Sequence, residues 1–321
     1  MIRRRLLLLA LFVFGIPISA ADRPAATGGA APLHRIVPAT PARLRELMHY
    51  DGFSRPIVSA HRGGADVDYP ENCLKTFERT LRAGFALLEI DPRYTQDGHV
   101  VVHHDSTLER TTTGQGPAAD QTISALKQLH LKDRAGTVTD DRLITLDEAI
   151  EWARGKTVLV LDQKDVPVLE RARIVTERKA EAFVMLIVTN FKEVRACYDF
   201  NPEIMMEVMI PDQAKVREFD ELGVPWSNVI AFVGHKPPTD RELYRQIHNR
   251  GARCMIGTSR NLDRQLSSGE LTEITPLEPA YRELLGRGAD VIETDIPVPL
   301  ATLLYSATAI PGEFLDVLRV E

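Results

Sequence analysis

Phe85-Ala86-Leu87-Leu88-Glu89-Ile90-Asp91 is apolar through its first four residues and then carries two carboxylates two positions apart. A short run of this kind reads as a strand buried on both faces, as in a parallel sheet covered by helices. Alternation along a strand points Glu89 and Asp91 the same way, so its C-terminal end presents a paired acid. Seven more runs resemble it, at 57–60, 157–162, 183–189, 204–209, 228–233, 253–257 and 290–294. Stretches with helical spacing separate most of them, at 73–83, 146–153, 168–179, 192–200, 212–222, 240–249 and 277–287. Eight such units predict an α/β chain folded as a TIM (β/α)8 barrel, with its reaction centre at the C-terminal ends of the strands. An open doubly wound sheet is the alternative, but no Gly-x-Gly-x-x-Gly follows the first run.

The connection between the second and third runs is too long for a simple loop. Residues 99–103 read as an extra strand, and 105–116 leads into a polar, weakly helical stretch ending near 142. A small subdomain inserted between the second and third barrel strands, at about 105–142, is expected over the barrel mouth.

Met1-Ile2-Arg3-Arg4-Arg5, the apolar run 6–18 and the small residues Ser19, Ala20 and Ala21 have the three parts of a secretory signal. The run is short for a membrane span, and a retained anchor is the competing account. The expected organisation is a signal peptide at 1–21, a leader with an outer helix at 22–55, and a barrel domain at 56–321. The location that follows is the periplasm or the exterior. Removing the signal with its three arginines moves the formal charge from -6 to -9. That balance argues against nonspecific nucleic-acid binding. Cys73, Cys197 and Cys254 lie far apart and form no close metal-ligand spacing; at most one disulfide can join them, and an odd count does not suggest a disulfide framework. Arg171 and Arg173 are expected on a solvated helix face.

The chemistry gathers at the strand ends. His61 follows the first run and precedes Arg62-Gly63-Gly64. Glycine lets backbone approach a ligand closely, and guanidinium matches phosphate oxygens in two-point contact. Two like charges at Glu89 and Asp91 need compensation, most simply by a hard divalent ion. Asp162 can add a third carboxylate, with Lys164 two residues on. An ion-pair network with Arg62, Arg93 and Lys164 is the competing account. His103 and His104 follow three valines, and alternation sends their rings to opposite faces. Asp105 either holds a histidine tautomer or starts the next turn. Asn72 suits the cap of the following helix. Two histidines titrating near neutrality, His61 and His104, suit paired proton transfers in phosphodiester cleavage.

These elements resemble the glycerophosphodiester phosphodiesterase family. The resemblance rests on His61-Arg62-Gly63-Gly64, Tyr69-Pro70-Glu71-Asn72, Glu89-Ile90-Asp91, Thr95-Gln96-Asp97-Gly98, Val101-Val102-His103-His104-Asp105, Leu108-Glu109-Arg110-Thr111-Thr112 and Thr294-Asp295-Ile296-Pro297. It implies a barrel with an inserted subdomain that hydrolyses glycerophosphodiesters to glycerol phosphate and an alcohol. It also implies one divalent cation, Mg2+ or Ca2+, held by Glu89, Asp91 and Asp162. By the same resemblance His61 and His104 form the acid/base pair, Arg62 and Lys164 contact phosphate, and Glu71, Asn72 and Asp105 support them. The family's route passes through a cyclic phosphate made by a glycerol hydroxyl; the residues themselves fit direct attack by water equally well. The chain departs from the pattern at Asp162, where the family has Glu, at Cys73, where it has Thr, and around 254–259, where its aromatic residues are missing. Other readings are action on a larger phospholipid or inositol-containing diester, and a phosphate-ligand binding protein without catalysis. The expected partners are a small-molecule substrate and transient contact with membrane lipid, with no nucleic acid and no protein partner.

Overall fold

Eight short strands pair in parallel and close on themselves in the computed structural model, which describes residues 31–52, 55–305 and 314–321. They are β1 (Ile57–Ala60), β2 (Ala86–Ile90), β3 (Leu159–Leu161), β4 (Val184–Val188), β5 (Met205–Met209), β6 (Val229–Phe232), β7 (Cys254–Gly257) and β8 (Val291–Thr294). Each pairs with its neighbours in chain order, and β8 returns to β1 through the register Glu293↔Ser59 and Thr294↔Ala60. All eight are wholly or almost wholly buried, which explains why their sequences are nearly continuous apolar runs. The expected signal segment 1–21 and the leader up to residue 30 lie outside the described residues. No helix among the described residues is long and apolar enough to cross a membrane.

The helices sit between the strands with local reasons for their starts. Leu146–Ala153 begins with a capping box, in which Thr145 and Glu148 each satisfy the other's backbone N–H. Phe191–Phe200 and Gln213–Leu222 are capped by Asn190 and Asp212. Pro297–Tyr305 follows β8 and escaped the helical spacing, because it is apolar nearly all round and opens on a proline. Arg171 is a correction. It is fully buried, not solvated, and its guanidinium donates to the carbonyls of Val166, Leu161 and Ile187 at 3.2, 2.8 and 2.9 Å. It thereby supplies donors to carbonyls that the ends of β3 and β4 leave free. Its burial pushes the guanidinium down to about 10. Arg171→Met fills much of the volume but orphans those carbonyls, so a loss of about 2–4 kcal/mol in chemical denaturation is expected. Unchanged stability would mean that the strand ends hold without it.

The insertion between β2 and β3 has its own structure. Pro92–Tyr94 pairs antiparallel with Val100–Val102, turning at Gly98 with φ +79°. The stretch expected to be weakly helical up to 142 has two short helical turns, Ala118–Asp120 and Ile123–Leu126, and then a hairpin of His130–Lys132 with Val138–Arg142. The Asp133 carboxylate, which accepts from the N–H of Thr137 and of Asp68, fixes that hairpin and ties it to the loop after β1. A separate apolar cluster of Val101, Leu108, Ala118, Leu126, Leu131 and Leu143 holds the insertion together. Cys73 packs into the same cluster, which accounts for an apolar thiol there. All three cysteines are free and buried.

At the opposite end, His34–Ile36 and Leu318–Val320 form a small antiparallel pair. Ile36 N–H also donates to the Lys156 carbonyl just before β3, at 2.9 Å. The two ends of the described chain are therefore fastened together at the N-terminal side of the strands. The mouth and the insertion lie on the other side.

Candidate active site

The backbone leaves β1 in a tight turn in which Arg62, Gly63 and Gly64 all take positive φ, at 53°, 78° and 93°. A side chain on Gly63 would meet the Phe77 ring at 2.3 Å, and one on Gly64 would meet Pro297 at 2.2 Å. Glycine is needed at both. Arg62 tolerates its left-handed conformation because the turn aims its N–H at Glu89 Oε2, 2.6 Å away. The adjacent motifs are thus coupled through the backbone, and the guanidinium remains free to face the cavity.

The carboxylates of Glu89, Asp91 and Asp162 offer oxygens that all lie within 4.8 Å of one another. Asp162 therefore reaches the other two although it is one methylene shorter than the family's glutamate. Asp91 is fully buried. Its Oδ2 accepts from Asn72 Nδ2 at 2.7 Å, and Asn72 Oδ1 accepts the Asp91 N–H. Lys164 Nζ sits 3.0 Å from Asp91 Oδ1 and also pairs with Asp162. The Asp91 Oδ1 contact is an ion pair without hydrogen-bond geometry, leaving a buried oxygen with no hydrogen bond. Burial, then the charges of Asp91 and Asp162, push the Glu89 carboxyl well above its ordinary range. Asp91 is drawn below its own range despite burial, chiefly by Lys164. Three oxygen donors, one unsatisfied lone pair and an excess of negative charge fit a hard divalent cation. A thiolate-seeking metal has no ligand here.

The two histidines have carboxylate partners but opposite surroundings. His61 Nδ1 lies 2.7 Å from Asp295 Oδ1. Burial works against its protonation, but the Asp295 hydrogen bond and the charges of Glu293 and Asp295 outweigh it and hold the imidazole above its ordinary value. His104 Nδ1 lies 2.6 Å from Asp105 Oδ1, and Arg62 Nη2 approaches His104 Nε2 at 2.7 Å. Guanidinium can only donate, so His104 Nε2 accepts and its proton lies on Nδ1. Burial lowers its pKa further than Asp91 and Asp105 raise it, with Arg62 and Lys164 adding to the fall. His103 points the other way, as alternation requires, and donates to the Thr107 carbonyl at 3.0 Å inside the insertion.

Glu71 and Asn72 take positions that the sequence left open. Glu71 stays out of the three-carboxylate cluster and accepts from Arg62 at 3.2 Å and from Arg110 at 2.7 and 2.8 Å. Arg110 also clasps Asp105, so one guanidinium fixes the supports of both Arg62 and His104. Asn72 is not a helix cap. It has φ 55°, and Cys73 occupies the N-cap position without a side-chain cap bond. Asp295 was quoted in the terminal motif but not assigned a role; its place directly after the eighth strand run was the available signal. A cavity of about 410 Å³ joins His61, Arg62, Glu89, Asp162 and Lys164 to Glu207, Phe232 and Glu293. A second cleft of about 400 Å³ runs from His61 and Arg62 under the hairpin to Lys132 and Arg134.

Residues 61–232 match the model of the glycerophosphoryl diester phosphodiesterase family. The chain belongs to this family. A crystal structure of a glycerophosphoryl diester phosphodiesterase from Parabacteroides distasonis is 36% identical with a TM-score of 0.84, covering 90% of this chain and 100% of that one. A glycerophosphodiester phosphodiesterase of Caldanaerobacter subterraneus is 37% identical over 107 residues, which are 33% of this chain and 44% of that relative. The match thus spans less than half of that relative's length. A phosphodiesterase of Oleispira antarctica, solved with the product sn-glycerol-3-phosphate, shares the family fold at 22% identity and a TM-score of 0.56, covering 77% of this chain and 96% of that one.

Proposed function

We propose that the chain hydrolyses glycerophosphodiesters to glycerol phosphate and an alcohol with the help of one Mg2+ or Ca2+ ion. The observation that carries this is that Glu89 and Asp162, clustered with the buried Asp91, line one cavity with Lys164, Arg62 and two oppositely tuned histidines. Glu89, Asp91 and Asp162 would hold the cation, which when bound would supply positive charge beside the phosphoryl oxygens. Arg62 and Lys164 face the same anion and stabilise the charge that builds as the bond to phosphorus forms. His104 is neutral, and its Nε2 takes the proton of the attacking hydroxyl once the phosphate draws the Arg62 guanidinium off that nitrogen and onto its own oxygens. His61, held protonated by Asp295, gives a proton to the departing alkoxide. Mass spectrometry of the products of several glycerophosphodiesters, with and without chelator, tests this. No glycerol phosphate from any of them, under any divalent-metal condition, would sink it.

The roles fix a pH profile. Activity rises as His104 loses its proton, through a pKa below the ordinary histidine value, and falls as His61 loses its own, through a pKa above it. Asp295→Asn removes the charge that raises His61, so the alkaline limb of kcat/KM is expected to move to lower pH while the acid limb stays. A shift of the acid limb instead would reverse the assignment. We further infer export to the periplasm or beyond, supported by the basic, apolar and small-residue pattern of residues 1–21. N-terminal sequencing of protein recovered outside the cytoplasm tests that reading, and an intact Met1 on cytosolic protein would overturn it.

A further inference from the structure

Beyond the carboxylate cluster the cavity continues into a half bounded by Glu207, Met209, Phe232, Ser259, Arg260 and Glu293. Glu207 lies inside β5 and is only 4% exposed, with no side-chain hydrogen bond or ion pair among the described residues. Glu293 lies inside β8 and is 8% exposed; its side chain accepts a hydrogen bond from the Ser259 hydroxyl at 3.5 Å. Burial and the charge of Glu293 push the Glu207 carboxyl well above its ordinary range, and burial also raises Glu293. Two buried acids lining one cavity need a proton or a cation to offset their charge. The positive charges that reach Glu293 from the protein are His61, on its catalytic side, and Arg260, which is exposed, while Glu207 has neither. Phe232, against which His235 packs, forms an aromatic part of the wall.

The other half of the cavity carries the opposite sign, through Arg62 and Lys164. A ligand anionic at phosphorus and cationic a few bonds away complements both ends. We propose that the Glu207 and Glu293 half receives the alcohol of the diester and selects a cationic amino alcohol, of ethanolamine or choline type, over a neutral polyol. This rests on the hydrolytic reading above and names its substrate class.

The test compares kcat/KM of the full chain, with Mg2+ or Ca2+, on glycerophosphocholine, glycerophosphoethanolamine and glycerophosphoglycerol. The wild type is expected to favour the two cationic diesters by about tenfold or more, roughly what one partly desolvated charge pair contributes. Glu207→Gln keeps the shape and removes the charge, so that preference is expected to fall about tenfold. No preference in the wild type would overturn the inference. So would an equal loss on all three diesters in Glu207→Gln, which would place the residue at the shared glycerol end. Should the variant not fold, inhibition of the wild type decides: free ethanolamine and choline are expected to compete better than glycerol, and parity counts against the inference. If no diester turns over, the hydrolytic reading fails, and calorimetry with the same three diesters still decides the selectivity.

Discussion

His61→Ala is expected to lower kcat on an alkyl glycerophosphodiester by about 10³-fold, within the range that a positioned acid or base contributes. The argument is that a departing alkoxide is a poor leaving group unless it is protonated, and His61 is the imidazole held in the charged state by Asp295 at 2.7 Å. A diester whose leaving group is a nitrophenolate needs no such proton. On that substrate the His61→Ala loss should shrink to about tenfold, while His104→Ala should remain severely impaired on both, because the attacking hydroxyl must be deprotonated in either case. Equal losses on both substrates for His61→Ala would remove it from the acid role. Full activity of both variants would remove the pair from the chemistry altogether.

Asp91→Asn should be as damaging, for a different reason. The side chain is fully buried, holds Asn72 through one oxygen and presents the other, without a hydrogen bond, to the cluster. The substitution keeps the shape but deletes the charge that balances Lys164 and completes the three-carboxylate set. Affinity for Mg2+ or Ca2+ in calorimetry is expected to fall by about 100-fold, and kcat/KM by about 10³-fold. A variant that binds the ion as the wild type does would show that the cluster is an ion-pair network with Lys164. Thermal unfolding with and without the ion supplies a readout independent of turnover, since a ligand that binds only the folded chain stabilises it. The ion-dependent rise should vanish in Asp91→Asn.

The barrel was legible because its strands are buried on both faces and announce themselves as apolar runs, and because the chemistry stands at their C-terminal ends where the runs stop. The candidate residues His61, Glu89, Asp91 and Asp162 could be picked out for that reason, and His104 because it follows the apolar insertion strand Val100–Val102. The alternation that separates His103 from His104 is likewise a property of the strand alone. What the letters did not carry was direction at turns and partnership across the chain. Asn72 looked like a helix cap, and only its left-handed backbone turns its amide onto Asp91. His61 and Asp295 are 234 residues apart and meet because β8 closes onto β1. Glu207 and Glu293 were passed over since each is a lone acid within an apolar strand, and nothing local says that the two line one cavity. Arg171 looked solvated beside Arg173 for the same reason: its neighbours in space are carbonyls of other strands.

The antiparallel pair of residues 34–36 and 318–320 has a practical side. Residues 34 and 320 both lie at the floor of the barrel, on the side away from the mouth. A support, reporter or tether joined just before residue 34 or just after residue 320 should hold the cavity outward and let it accept substrate as the free protein does. Attachment through the 130–142 hairpin would instead crowd the opening.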